Sequence, residues 1–342
     1  MKKITFLLLL STVFAFAQDF RNPVDYLNYL GKEQQSIARS TWRYTSAVAH
    51  STNARRIETT RKQLVNSIKN SSKKIEALKN GYKGDIEFRD KLLNYLYFAE
   101  KNINEEYGKI IDLQDVAQQS YDYMESYIMT RDLVNKKLDE EYEKVKLAQH
   151  EFAEKYHVNL SSEESELGKK IKLSNEVFDY HTVLFLVFFK VNITDVNLSN
   201  AIEKKDLVAI EQNASSLLKY SYEGLEKIKS ISSYKNDTSL INETERALLF
   251  YKKTAEEFTP KVISYLMLYD KFENAKKTLE SKSESERSEA EVENYNAMVK
   301  QVNKEIGIFN KLSNDNYQEK TKVLNDWNAT GDEFIARHVP QD

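Results

Sequence analysis

The sequence of 342 residues contains no cysteine. This absence excludes disulfide bonds, thiolate zinc sites, iron–sulfur clusters and a cysteine nucleophile. It also excludes a lipid-modified N-terminal cysteine, so we expect that the protein is not a lipoprotein. The fold must therefore be stabilised by core packing without covalent cross-links.

Glycine and proline are also scarce, with 8 and 3 residues respectively. Strand-rich folds need frequent turns, and turns favour these two residue types, whereas long helices need few of them. Apolar residues instead recur every three or four positions. Between Ile86 and Asp112, for example, Phe88, Leu92 and Leu96 fall on one helical face. The sequence therefore predicts an all-α fold.

The chain has no excess of basic residues, because it contains 50 Lys and Arg and 53 Asp and Glu. A general nucleic-acid binder carries a strong basic excess, so we expect no nucleic-acid partner. The sequence also lacks a glycine-rich phosphate loop, a G-x-S-x-G turn, an H-E-x-x-H motif and an EF-hand loop. We therefore expect no cofactor and no enzymatic activity. The alternative is an enzyme or a metal-binding bundle whose site is assembled from distant residues.

The N-terminus has the three parts of a secretory signal peptide, which we assign to residues 1–17. Lys2 and Lys3 form the basic region, and residues 4–14 form the apolar region. An A-x-A cleavage site follows, with Ala15 and Ala17 as its small residues and Gln18 as the first residue of the mature chain. The apolar run is shorter than the ~20 residues of a membrane span, although an uncleaved anchor is the alternative.

Turn-forming and charge-rich stretches divide the mature chain. We expect helix breaks at residues 80–85, 159–164, 192–199 and 236–237, and a Ser/Glu-rich linker at residues 281–288. Pro260 lies inside a helical pattern and should kink or split that helix. These breaks predict a first helical bundle over residues 18–160 and a second over residues 161–342.

The order of short strings in the two halves indicates an internal duplication. Residues 73–79 precede Tyr82-Lys83-Gly84-Asp85, and residues 223–229 precede Tyr234-Lys235-Asn236-Asp237. The halves also end alike, with Glu151-Phe152-Ala153 matching Glu333-Phe334-Ile335. We therefore predict two related antiparallel bundles in tandem. The alternative is chance similarity between helices of similar composition.

A second apolar segment, from Val183 to Phe189, has no polar side. It is too short to cross a bilayer, so we expect no transmembrane span in the mature chain. A helix that is apolar all round should be buried all round, which predicts a central helix packed between the two bundles. A homodimer contact and a membrane-surface contact are the alternatives.

One polar and aromatic group is a candidate ligand-binding patch for an anion, a polysaccharide or a partner. It comprises Trp42, Arg43, Tyr44, His50, Arg55 and Arg56. The alternative, which we favour, places Trp42 in the bundle core and the arginines in solvent or beside carboxylates. His150, Glu154 and His157 have helical spacing for a metal site, but a di-iron bundle needs a second Glu-x-x-His pair, which is missing. We expect no metal.

The chain resembles a poorly characterised family of exported, all-helical surface proteins of Gram-negative bacteria. The resemblance rests on the signal ending Phe16-Ala17-Gln18, on residues 24–30 followed by Trp42-Arg43-Tyr44, and on residues 82–85 with Phe88-Arg89. It implies placement in the cell envelope or on the cell surface, and it carries no activity.

Together these observations predict an exported, non-enzymatic protein of the cell envelope or cell surface. Its location would be the periplasm, the outer-membrane surface or the medium. We expect it to bind an unknown protein or envelope ligand through the faces of its helices.

Overall fold

The structure is a computed structural model that describes residues 20–51, 53–117, 120–161 and 165–341, with the side chains of all of these except 105–117. The predicted signal peptide lies outside the described residues. Over the described ranges the chain forms nine α-helices and no strand, which confirms the all-α prediction. The helices are α1 Pro23–His50, α2 Ala54–Glu76, α3 Glu87–Ala117, α4 Tyr121–Lys155, α5 Glu166–Glu203, α6 Leu207–Lys229, α7 Ser239–Lys253, α8 Thr259–Glu280 and α9 Glu289–His338.

Local side-chain chemistry explains where several helices begin. The side chain of Asn53 accepts from the backbone N–H of Arg56 at the start of α2, and Asp206 accepts in the same way at the start of α6. Ser288 and Glu291 form a reciprocal capping box at the start of α9. Each cap satisfies backbone N–H groups that have no partner within the helix.

The chain divides into two compact units. Over the described residues, unit 1 comprises 20–47, 53–109, 130–161 and 165–168, and unit 2 comprises 48–51, 110–117, 120–129 and 169–341. The core of unit 1 includes the buried Tyr26, Leu30, Ile75, Leu92 and Phe152. Unit 2 buries its own set, which includes Leu184, Leu217, Leu248, Tyr251 and Phe334. The limits of 18–160 and 161–342 for two bundles stay a prediction.

Most predicted breaks are turns in the structure, and one is not. The chain leaves the helical conformation around residues 80–85 and 236–237 and at residues 159–161, next to the undescribed 162–164. The break expected at residues 192–199 is wrong, because α5 continues to Glu203. Thr194 and Asp195 are buried there, and the Tyr251 hydroxyl donates to Asn192 at 2.9 Å. The actual break is the turn at residues 204–206.

Pro260 does interrupt its helix, as predicted. A π-helical turn, Thr254–Phe258, separates α7 from α8, and Pro260 lies in the first turn of α8. Proline has no N–H to donate and its ring crowds the preceding turn. The Thr254 carbonyl accepts both the backbone N–H of Thr259 and the Thr259 hydroxyl, the latter at 3.0 Å.

The apolar segment Val183 to Phe189 lies in α5. Leu184, Val187, Phe188 and Phe189 are buried, but Val183 is 41% exposed, so the expectation of burial on every side is wrong at that residue. α5 is long and apolar enough to cross a membrane by length and composition, and half of its most apolar 18-residue window is buried inside the protein. A core helix meets the same criterion, so the absence of a span stays a prediction.

Candidate functional site

The residues of the predicted patch around Trp42 differ in burial. Trp42 is 4% exposed and belongs to the core, and Tyr44 is half-buried against the core of unit 1. Arg43, Arg55 and Arg56 are exposed. The His50 ring nitrogen Nε2 lies 3.1 Å from the Pro340 carbonyl oxygen. The structure agrees with the interpretation that puts Trp42 in the core.

Among the described residues, the histidines with spacing for metal ligands belong to no ligand cluster. His150, Glu154 and His157 are exposed. Within the described residues, no group of three or more His, Asp and Glu side chains could hold a metal ion.

A buried polar layer in unit 2 joins α5, the π-helical turn that follows α7, and α9. Asp195 of α5 is 2% exposed, and its Oδ2 lies 2.5 Å from Nζ of Lys320 on α9. One turn away on the same helix, Asn316 accepts from the Thr254 hydroxyl at 3.2 Å. Burial raises the pKa of Asp195, and the Lys320 ammonium opposes that rise. These polar contacts therefore link α9 to α5 and to the π-helical turn.

Unit 1 contains its own buried carboxylate. Glu33 on α1 accepts from the Ser71 hydroxyl at 2.8 Å and from the Lys74 ammonium at 2.9 Å, both on α2. Each oxygen of the carboxylate therefore has a charged or hydroxyl partner, as burial of a charge requires. This cluster aligns α1 with α2.

Two turns of related sequence make closely similar contacts. In unit 2, Asp237 accepts from the backbone N–H of Ser239 at 2.9 Å, from Arg337 at 2.5 Å and from His338 at 2.8 Å. Burial acts to raise the pKa of Asp237, but the hydrogen bonds from Ser239, His338 and Arg337 outweigh it and hold the pKa far below its ordinary value. The contacts attach the end of α9 to the turn between α6 and α7.

The corresponding turn of unit 1 is built in the same way. Asp85 accepts from the backbone N–H of Glu87 at 3.3 Å, from Lys155 at 2.7 Å and from the Tyr156 hydroxyl at 3.3 Å. Each turn also contains an isolated antiparallel β-bridge between backbone groups, which joins Tyr82 to Asp85 in one turn and Tyr234 to Asp237 in the other. In each unit the turn aspartate therefore holds a basic residue and its neighbour at the end of the last helix.

Unit 2 carries a groove along the hairpin of α8 and α9, which we call the α8–α9 groove. Its volume is about 440 Å³, and it is lined by Pro260, Lys261, Ser264, Tyr265, Leu268, Gln301, Glu305, Ile308, Phe309 and Leu312. Tyr265 and Phe309 stack face to face with their ring centroids 4.2 Å apart. Ile308 is 53% exposed at the groove. The groove thus combines aromatic side chains, an exposed aliphatic residue and a few polar groups.

A second groove, the α1–α4 groove, lies in unit 1. It also measures about 440 Å³, and it is lined by Val24, Leu27, Asn28, Gly31, Lys32, Gln35, Gln149, Val158, Asn159, Leu160 and Ser161. Most of its polar lining groups are side-chain amides, and Lys32 is the one ionisable residue in that lining. Neither groove contains a residue of the predicted Trp42 patch.

Sequence reasoning did not identify either groove, because each one joins segments that are distant along the chain. One signal was present, however. Glycine is unfavourable inside a helix, so Gly31 in the middle of a helical pattern indicates a local reason for the missing side chain.

Comparison with protein-family models, curated proteins and solved structures found no significant match to this chain. The resemblance to exported helical surface proteins therefore stays a prediction.

Proposed function

We propose that this is an exported, non-enzymatic protein of the cell envelope or surface that binds a helical partner protein in its α8–α9 groove. The observation that carries the proposal is the open groove between two helices, with Ile308 exposed at its edge. Exposed apolar side chains that line a concave surface are typical of interaction sites.

The arrangement of the lining residues favours a helix as the occupant. On α9, residues Gln301, Glu305, Ile308 and Leu312 follow the spacing i, i+4, i+7, i+11 and form one stripe along the helix. On α8, Ser264 and Leu268 are one turn apart on the opposite wall. An amphipathic helix binds such a groove by placing apolar anchors at the same spacing.

Neighbouring isoleucines provide a matched test. Ile308 lines the groove, whereas Ile306 is 41% exposed and does not. We expect Ile308→Glu to abolish capture of a partner from native envelope extracts, and Ile306→Glu to retain it. Both variants should keep the unfolding temperature, because both side chains are exposed. Equal capture by the two variants would show that the groove is not the binding site.

The homodimer contact through Val183 to Phe189 is a second proposal, supported by the exposure of Val183. We expect Val183→Asp to shift a dimer to a monomer in light scattering. A monomeric wild-type protein at high concentration would remove this proposal.

We further propose that the two units derive from a duplicated four-helix bundle. The similar contacts of Asp85 and Asp237 support it, as do two α-helices of 23 residues, α2 and α6, that precede the two turns. Superposition of α1–α4 on α5–α9 tests the proposal. It fails if the helices do not overlay in chain order.

A further inference from the structure

Gly31 is a glycine in the middle of α1 for which the packing of this chain gives no reason. A Cβ atom added there would meet nothing within 4 Å. In contrast, a Cβ at Gly224 would lie 2.6 Å from Leu248, and one at Gly331 would lie 2.9 Å from His181. Helical glycine is less favourable than alanine by about 1 kcal/mol. The cost at Gly224 and Gly331 is explained by close packing, and the cost at Gly31 and Gly307 is not. Of these last two glycines, Gly31 lines a groove and Gly307 does not.

Gly31 lies on the side of α1 that faces the α1–α4 groove. It follows Asn28 and precedes Gln35 along the lining of that groove, and Gln149 of α4 contributes to the same lining. Because Gly31 has no side chain, its partly exposed backbone contributes directly to the lining.

The matching region of unit 2 is filled with rings. We align α5 on α1, under the proposed duplication, so that Tyr26 pairs with Tyr180 and the fully buried Leu30 pairs with the fully buried Leu184. The tyrosines make similar contacts, since Tyr26 lies 5.1 Å from Phe152 and Tyr180 lies 5.4 Å from Phe334, measured between ring centroids.

The same pairing places Gly31 opposite Phe185, with Leu27 and Gln35 matching His181 and Phe189. Phe185 stacks on Phe189 with ring centroids 5.5 Å apart, and it lies 6.4 Å from the His181 ring. In unit 2, three rings thus occupy the positions that correspond to the groove of about 440 Å³ in unit 1.

We propose that the α1–α4 groove binds a peptide segment that places an aromatic side chain over Gly31. An aromatic ring is the group that unit 2 uses at this position. The open space above Gly31 leaves room for the ring, and the apolar Leu27, Val158 and Leu160 contribute lining around it.

The polar lining identifies the rest of the ligand. The side-chain amides of Asn28, Gln35 and Gln149 both donate and accept hydrogen bonds, which matches the N–H and C=O groups of a peptide backbone. Lys32 supplies the one ionic group of the lining, so a carboxylate next to the aromatic residue is favoured. The ligand class is therefore an aromatic–acidic peptide.

The test uses acetyl-Phe-Glu-amide as the probe and acetyl-Ala-Glu-amide as the control peptide, titrated into the full mature chain and followed by NMR. We expect saturable shifts for the phenylalanine peptide and none for the alanine peptide. Gly31→Phe should reduce the affinity at least about tenfold, a loss that corresponds to one well-packed ring. Gly307→Phe provides the matched control, because Gly307 is also an open helical glycine but is not in the lining.

Gly31→Ala covers the case in which Gly31→Phe does not fold. The methyl group should weaken binding while it raises the unfolding temperature. The proposal is overturned if the phenylalanine peptide gives no saturable shifts, if both peptides bind equally, or if Gly31→Phe and Gly31→Ala bind as the wild type does. Ile308→Glu should leave this binding unchanged, so failure here is distinguishable from failure of the α8–α9 proposal.

Discussion

The buried ion pair between Asp195 and Lys320 allows a quantitative prediction through the variant Lys320→Met. Methionine has about the length of the lysine stem and preserves most of its packing, but it removes the ammonium group. The carboxylate of Asp195 then stays buried without its charged partner. Removal of one partner of a buried pair typically lowers the free energy of unfolding by about 3–5 kcal/mol.

The loss should depend on pH, with a defined sign. Burial raises the pKa of Asp195 above its ordinary value of 3.8, and Lys320 opposes that rise. Without Lys320, the folded protein binds the Asp195 proton more strongly than the unfolded chain does. The free energy of unfolding therefore falls as the pH rises through the window between the two values. We expect the defect of Lys320→Met to be largest at neutral pH and to shrink as the carboxyl group is protonated.

The two tryptophans make the measurement specific to unit 2. The chain has Trp42 in unit 1 and Trp327 in unit 2. Trp327 is buried, and its ring stacks on Phe188 at 4.2 Å between centroids. Urea unfolding of a Trp42→Phe background, followed by Trp327 fluorescence at several pH values, reports the stability around the ion pair.

Two further variants decide the outcome. Lys311→Met on the same helix removes one partner of the exposed pair with Asp315, and we expect no measurable loss there. Asp195→Asn combined with Lys320→Met removes both charges and should recover most of the stability. The reasoning is refuted if Lys320→Met and Lys311→Met are equally stable, or if the defect of Lys320→Met is the same at every pH.

Three other predictions concern single features of the chain. Gly224→Ala should lower the free energy of unfolding by about 1–3 kcal/mol because its Cβ would overlap Leu248. Gly307→Ala should raise the free energy of unfolding by about 1 kcal/mol because alanine favours the helix and its Cβ meets no other atom. Urea unfolding of both variants measures the two effects. Asp237→Asn should remove stability that is present at neutral pH and lost on acidification, since the folded pKa is held low, and calorimetry across pH measures it. The exported protein should begin at Gln18 by intact mass, and an unprocessed chain would refute the predicted cleavage site.

Much of the fold could be predicted from local patterns. The caps at Asn53, Asp206 and Ser288 depend on residues within a few positions of each other, as does the interruption near Pro260. Short-range spacing determines these features, so they are visible in the sequence. The prediction of a helix break at residues 192–199 is wrong because the burial of these residues depends on distant contacts. Asn192 and Asp195 are typical of a helix break when they face water, and only their distant partners show that they face inward.

The functional surfaces depended on tertiary structure almost entirely. Ile308 has the same sequence character as Ile306, and only the packing of α8 against α9 places one of them in a groove. A glycine inside a helical pattern, as at Gly31, indicates a local reason for the missing side chain. The sequence does not show, however, that Gln35 and Gln149 lie in the same groove as Gly31.

The sequence by itself determined that the chain is helical and where most of its helices begin and end. It also excluded disulfide bonds and thiolate metal sites, because the chain has no cysteine. Hydrophobic spacing and capping act over a few residues, so they need no knowledge of the rest of the chain. The tertiary structure decided that Trp42 is core, that Lys320 is an ion-pair partner of Asp195, and that two grooves stay open. Those outcomes depend on which helix faces pack together, and the periodicity of one helix does not specify its neighbour.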